Sequence, residues 1–351
     1  MRDPQGVGSG YIMSSTTFEI LSEFEAERAL FVRDPSCGLM AVIVLHNSRL
    51  GPAAGGTRTR SYANEAEALR DAAGLAQSMS YKCALGGLQA GGAKAVVMDH
   101  PGLDRDRAFE VFGGYVESLG GQFRTAGDLG TRHEDLVAMA RSTQFVHLDE
   151  VGLSDAVAVG LVGCMEACAR VKGLDGIQNL RVAIQGCGAI GAAAARRVRE
   201  AGAEVLVCDI DDERARAVAA ATGAERIAPE RFVQTPCDIL APCAVGQVVT
   251  SANVRSIDAW ALCGAANRIL ESSELSATLM QSGKIHVPDI IASAGAVVQG
   301  IAKTVMGEVD PAARVLALGR RAEAVLRESA RTGESPIRVA ETIARHQIGI
   351  P

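Results

Sequence analysis

The chain has 351 residues, 48% of them hydrophobic, and a formal net charge of −6. That length can bury two cores and suggests two domains. No basic run tracks a phosphate backbone and no apolar stretch approaches the roughly eighteen residues that span a bilayer, so the expectation is a cytoplasmic enzyme with no nucleic acid and no membrane among its partners.

In chain order, Met1 to Met13 is Gly-rich and polar, lacks the charged and apolar regions of a signal peptide, and reads as a disordered or non-native leader. Phe18 to Arg28 reads as a helix leading into a short strand, Ala29 to Val32, and Leu39 to His46 as an apolar strand. Leu50 to Arg58 is a glycine loop. Asn64 to Ser80 carries Leu69, Ala72, Ala73 and Leu75 or Ala76 at helical spacing and reads as an amphipathic helix. A strand pair is expected next, with Lys82 and Lys94 twelve residues apart. Lys94 lies behind Gly91-Gly92 and ahead of the apolar run Ala95 to Met98. Burial there disfavours the ammonium and lowers its pKa, and a second cation nearby acts in the same direction. A lysine tuned in this way serves as a general base. Taken alone, the segment fits a glycine turn with ordinary surface lysines equally well.

Arg107 to Leu119 is a further helix, and Phe123 to Thr131 a strand ending in an acidic turn at Asp128. By itself Asp128 suggests an Asx turn or the N-cap of a helix from Arg132 to Ala140. Asp155 to Val171 is the helix expected to cross between domains. Asn179 to Gln185 then reads as a strand running into Gly186-Cys187-Gly188-Ala189-Ile190-Gly191, an alanine-rich helix to about Ala201, and a second strand, Glu204 to Cys208, that ends at Asp209. Strand, glycine turn, helix, strand and terminal acid in this order form the dinucleotide fingerprint. The helix N-terminus offers unpaired N–H groups to a pyrophosphate. Asp209 would accept hydrogen bonds from the adenosine ribose and repel a 2′-phosphate, which favours NAD over NADP. Strand and helix alternate through Val287, as a doubly wound sheet requires, and the residues from about Ile301 are helical and expected to pack back on the first domain. The nine cysteines are scattered among apolar neighbours; Cys164 and Cys168 share a helix face, but no further ligands complete a zinc set, so no metal is expected. His46, His133 and His286 form no motif.

Leu50 through Met98, the Asp128 turn, the fingerprint, Leu240-Ala241-Pro242-Cys243-Ala244, Gly264-Ala265-Ala266-Asn267 and Val287-Pro288-Asp289 together resemble the leucine/phenylalanine/valine dehydrogenase branch of the amino acid dehydrogenases, over nearly everything from Phe18 to Ile348. The resemblance implies an α/β fold of two domains. Residues 14–150 with 315–351 would form an α/β substrate and oligomerisation domain, residues 151–314 a Rossmann doubly wound NAD-binding domain, and a cleft would lie between them. It further implies a homo-oligomer, dimer or octamer, with Phe18 to Phe24 and the strand Leu39 to His46 as candidate interface.

The implied reaction is reversible NAD-dependent oxidative deamination of a hydrophobic L-amino acid to its 2-oxo acid and ammonia. Lys82 matches the lysine that holds the substrate α-carboxylate, helped by the Gly55-Gly56 backbone. Lys94 matches the lysine that deprotonates the water attacking the imine left after hydride transfer, and Asp128 the acid that shuttles protons at the amino group. Gly186, Gly188, Ala189, Ile190, Gly191 and Asp209 match cofactor positions. Cys243 and Ala244 match positions along the ribose path, and Asn267 the asparagine near both cofactor and substrate. Ala54, Met79, Ser293, Val297 and Gly300 match positions lining the substrate site.

Departures from the family pattern fall in the clamps. Val157, in Ser154-Asp155-Ala156-Val157, stands where a threonine is usual, Ser293 where an asparagine is usual, and Gly127 where a glutamate is common. Ala54 replaces leucine and Gly300 a valine or leucine, which opens the apolar end of the pocket and favours an aromatic substrate, phenylalanine or tryptophan, over leucine or valine. Two alternatives stay open: a pathway-recruited homologue acting on a modified amino acid or imine in the same cleft, and a low-turnover NAD-binding regulatory protein.

Overall fold

The computed structural model describes residues 16–149, 151–244 and 246–351; the leader expected at residues 1–13 lies outside them. A first helix, α1 (Thr17–Glu23), is closed by a capping box between Thr16 and Glu19. It ends before Arg28, because Glu25 turns the chain at φ 55°. The first sheet contains β1 (Arg28–Asp34), β2 (Leu39–Asn47), β3 (Ala53–Ala54), β4 (Thr57–Arg60), β5 (Gly91–Met98) and β6 (Phe123–Arg124), in the order β1-β2-β5-β3-β6, with β4 also on β5.

β2 is buried on both faces. Ile43 and Leu45 enter a core with Phe109, Phe112, Phe123 and Met139, whereas Val42 and Val44 meet Leu69, Ala72 and Ala76. Its edges pair with β1 and β5. The expectation that this strand offers an oligomer interface is therefore incorrect; its continuous apolar run is the pattern of a strand covered on both sides.

The strand pair expected around the lysines is also corrected. One helix, α2 (Glu65–Leu85), continues through Lys82, because Ala76, Ser80, Cys83 and Ala84 keep its buried face in helical phase. It stops where Gly87 takes φ 66° and gives its N–H to the Ala84 carbonyl. Of the two lysines, only Lys94 lies on a strand. α3 (Arg105–Ser118) and α4 (His133–Ala140) supply Phe109, Phe112, Leu136 and Met139 to the core on the opposite face of the sheet.

After α5 (Leu153–Lys172), the second sheet takes β7 (Arg181–Gln185), β8 (Glu204–Cys208), β9 (Glu225–Arg226), β10 (Ile239–Pro242), β11 (Ala261–Leu262) and β12 (Ile285–His286). All are parallel, in the order β12-β11-β10-β7-β8-β9. The chain winds outward in both directions from β7 and β10, leaving a crevice at the carboxyl ends of these two strands. Its helices are α6 (Ala189–Glu200), α7 (Asp212–Thr222) and α8 (Glu274–Gln281).

α9 (Asp289–Ala292) and α10 (Gly295–Thr304) lead to α11 (Ala312–Thr332) and α12 (Pro336–Ile348). α12 returns to the first sheet, where Asn47 Nδ2 donates to the Ile348 carbonyl at 3.3 Å and Arg345 pairs with Glu25. α11 instead lies along α5, at glycine-level separation: a Cβ on Gly319 would stand 2.7 Å from the Gly163 carbonyl oxygen. Among the described residues no helix is long and apolar enough to cross a membrane.

Gly319→Leu should wedge α11 away from α5 and destabilise the fold by about 1–3 kcal/mol, the usual penalty for overpacking. A drop in Tm by calorimetry checks this, and an unchanged Tm would contradict the close packing.

Candidate active site

Glycine geometry brings the candidate groups together. β3 and β4 both run parallel to β5, interrupted at Gly55-Gly56. A Cβ on Gly55 would stand 1.7 Å from the Ala93 carbonyl oxygen, and one on Gly56 would stand 2.7 Å from the Gly127 carbonyl oxygen and 3.0 Å from the Asp128 Cβ. The Asp128 turn can therefore close over β5. Lys94 Nζ lies 3.1 Å from Asp128 Oδ2, and the lysine side chain is only 6% exposed. Burial, the largest influence, and Arg58 lower the Lys94 pKa, outweighing the opposing pull of Asp128. Burial pushes the Asp128 carboxyl up, but Lys94 and Arg58 together hold it below the usual carboxylate range. The N-cap reading of Asp128 is not what the structure shows: Asp135 Oδ2 accepts the Arg132 N–H at the start of α4, whereas Asp128 offers only its backbone carbonyl locally, to Thr131.

Lys82 projects from the last turn of α2 and donates to Asn267 Oδ1 at 2.8 Å, joining the two sheet units. Burial is again the largest influence and lowers its pKa, with Asp289 opposing and Lys94 adding to the effect. Ser293 Oγ lies 3.5 Å from Asn267 Oδ1 but gives its stronger bond, at 2.7 Å, to the Asp289 carbonyl. The Gly55 N–H is already engaged by the Arg124 carbonyl at 3.1 Å. Ala54, Met79 and Val297 enter one apolar cluster with Tyr81, Leu85 and Val298. At Gly300 a Cβ would find nothing nearer than Leu153, at 4.0 Å, so space is open there. Val157 is buried, with Gly295 packed against it, and Asp155 ties α5 to α6 through Arg196 and Arg197 at 2.7 and 2.6 Å.

Three side chains absent from the sequence expectations complete the lysine site. Arg58 donates Nε to Asp128 Oδ2 at 2.7 Å and Nη1 to Asp71 Oδ2 at 3.1 Å. Tyr62 donates its hydroxyl to the same Asp71 oxygen at 2.7 Å. The only signal in the sequence was an arginine inside the glycine loop, two residues beyond the Gly-Gly pair.

At the crevice of the second sheet, Gly186 takes φ 97° and Gly188 caps α6 without a side chain. A Cβ on Gly191 would stand 1.7 Å from the Gly186 carbonyl oxygen, which accounts for glycine there, whereas one on Gly188 would meet nothing within 4 Å. Gly188 and Ala189 are exposed and Ile190 half-buried. Cys243 closes the other side, its N–H on the Gln185 carbonyl at 2.7 Å, with Ala244 beside Gly186. Asp209 follows β8 directly and its carboxylate accepts the Cys187 N–H at 2.6 Å and the Asp211 N–H at 2.9 Å, so it also fixes the glycine turn.

The chain is similar to known proteins over most of its length. Residues 26–145 match the Glu/Leu/Phe/Val dehydrogenase dimerisation domain, and residues 206–305 the Glutamate/Leucine/Phenylalanine/Valine dehydrogenase domain. The chain belongs to the Glu/Leu/Phe/Val dehydrogenase family. It is an amino acid dehydrogenase. Leucine dehydrogenase of Bacillus subtilis is 33% identical over 293 residues, 80% of this chain and 79% of that one. Phenylalanine dehydrogenase of Caldalkalibacillus thermarum is 34% identical over 300 residues, 82% and 80% of the two chains. The crystal structure of L-tryptophan dehydrogenase from Nostoc punctiforme superposes with a TM-score of 0.85 at 29% identity, covering 95% of this chain and 98% of that one.

A Rossmann domain in this family generally serves NAD(P), and the crevice fits such a group. Its glycine cradle has an open backbone at Gly188, and α6 begins with no side chain satisfying its first N–H groups. Gly191→Ala would force the helix away from the Gly186 carbonyl. Dinucleotide affinity measured by calorimetry should fall at least about tenfold, a loss of about 1.4 kcal/mol, while the far-UV circular dichroism spectrum stays that of the parent.

Proposed function

We propose that this enzyme carries out reversible NAD-dependent oxidative deamination of a hydrophobic L-amino acid, with aromatic side chains, phenylalanine or tryptophan, favoured over leucine and valine. The observation that carries the reading is the pair of buried Lys94 with half-buried Asp128, near a second buried lysine, Lys82, in a chain that also carries a dinucleotide crevice. When bound, the nicotinamide supplies the hydride acceptor. Lys82 would hold the substrate carboxylate through a charge-assisted contact, taking it in place of Asn267. Lys94, biased by burial toward the neutral amine, would accept a proton from the water that attacks the imine carbon. Asp128 would pass protons to and from the nitrogen as the carbinolamine collapses to oxo acid and ammonia. Asp209 supports NAD over NADP, since a carboxylate at that point repels a 2′-phosphate.

Ala54 and the open space at Gly300 support a long side chain at the apolar end. Ser293 turns its hydroxyl to the Asp289 carbonyl, which favours, as a second reading, an altered carboxylate clamp suited to a modified amino acid or imine. We further propose a homo-oligomer, dimer or octamer, working in the cytoplasm, with the chain divided into 14–150 plus 315–351 and 151–314.

Absorbance of NADH, with NAD and a panel of L-amino acids at alkaline pH, tests the assignment. Turnover on phenylalanine and tryptophan should exceed that on leucine and valine. Ala54→Leu should reverse this order, because filling the pocket with three more carbons excludes the larger ring. Lys94→Ala should abolish turnover, by 10²-fold or more as a rough figure for a general base, and leave NAD binding unchanged by calorimetry. Full activity in Lys94→Ala would overturn the assignment.

A further inference from the structure

The Lys94–Asp128 pair does not stand alone. Asp128 Oδ2 accepts from Arg58 Nε at 2.7 Å and forms an ion pair with Lys94 Nζ at 3.1 Å, and Arg58 in turn reaches Asp71, on whose Oδ2 the Tyr62 hydroxyl also lies. Read along the contacts, the charges alternate: Lys94 positive, Asp128 negative, Arg58 positive, Asp71 negative. β4 supplies Arg58 and the segment following it Tyr62, α2 supplies Asp71, β5 supplies Lys94 and the turn after β6 supplies Asp128. Lys82, coupled to Lys94 through space, donates instead to Asn267.

A two-member pair has an electrostatic weakness during turnover. When Lys94 becomes the neutral amine, Asp128 loses its counter-ion and, half enclosed, would tend to take up a proton itself. Arg58 removes that coupling, because a guanidinium stays charged at any working pH. It also leaves Asp128 Oδ1 without a partner among the described residues, so the oxygen available to a reacting nitrogen is distinct from the one holding the cations.

We propose that Arg58 is a positioning residue that returns Asp128 to the carboxylate between its proton exchanges with the substrate nitrogen, whether Lys94 is ammonium or amine, and that Asp71 sets the balance by drawing Arg58 partly away. The proposal rests on the catalytic reading of Lys94 and Asp128 given above. It carries a signed consequence. Arg58 opposes the charge on Lys94 and Asp71 favours it, so removing the two should move the lysine in opposite directions.

The chain has five lysines, Lys82, Lys94, Lys172, Lys284 and Lys303, few enough that ε-13C-lysine labelling resolves each by NMR, with the Lys94 signal identified by its loss in Lys94→Ala. Titration of the whole protein should place the Lys94 midpoint higher in Arg58→Gln than in the parent, lower in Asp71→Asn, and near the parent in Arg58→Lys. The acid limb of kcat should follow in the same directions. At a fixed pH on that limb Arg58→Gln should lose about tenfold in kcat, the size of one charge pair's influence, with KM changing far less. Unmoved midpoints, or movement in the same direction in Arg58→Gln and Asp71→Asn, would overturn the proposal, as would a kcat loss in Arg58→Gln that is equal at every pH. Midpoints that move as stated in a parent protein without amino acid turnover would uphold the electrostatic coupling and overturn the catalytic reading instead.

Discussion

At Gly55 and Gly56 three backbone segments come closer than any side chain permits. A Cβ on the first would overlap the Ala93 carbonyl, and one on the second would press on Gly127 and Asp128. Without that approach, β3 and β4 could not share β5 as a partner, and the Asp128 turn could not lie over Lys94. Glycine is costly in an extended segment, by roughly 0.5–1 kcal/mol relative to alanine. The contact it permits between a lysine and a carboxylate is the one on which the proposed chemistry depends.

Placing an ammonium inside a protein carries a large desolvation penalty unless counter-charges and hydrogen bonds offset it. The two lysines meet this requirement differently. Lys94 belongs to a set of two cations and two anions whose formal charges cancel. Lys82 is held by the neutral amide oxygen of Asn267, with Asp289 acting only through space. A residual positive charge therefore belongs to Lys82, and that is the charge an incoming carboxylate would satisfy. Twelve residues separate the lysines in sequence, and burial lowers the pKa of both, yet one contacts a carboxylate and the other a neutral amide.

What was legible in the sequence was local. The turn Gly186 to Gly191 carries its geometry in consecutive residues, so strand, cradle and helix were readable; the glycines and apolar run around Lys94 fitted a buried lysine or a plain turn equally, and Asp128 was legible only through the family resemblance. The glycines between Lys82 and Lys94 read as a turn between two strands, although the helical phase of Ala76, Ser80 and Cys83 runs on to meet Lys82. The apolar run of β2 suggested an interface, since a sequence does not say whether apolar residues face a partner or the chain's own interior. Arg58, Asp71 and Tyr62 were not legible at all. Their contacts span 70, 13 and 9 residues, and no spacing rule links groups brought together by a sheet and a helix packed on it.

The Lys82–Asn267 bond has a further consequence, because it is a polar link between the two units at the candidate cleft. A hydrogen bond to a charged group contributes about 1.5–3 kcal/mol, too little to hold domains closed by itself but enough to bias them. A substrate carboxylate reaching Lys82 would compete with Asn267 for that bond. In the proposed reaction the carboxylate then replaces a neutral oxygen by a charged one on the same ammonium, and the freed Asn267 amide can turn toward substrate or cofactor. Binding would thus exchange one link between the units for a stronger one through the ligand, so that substrate and closure favour each other without any additional switch.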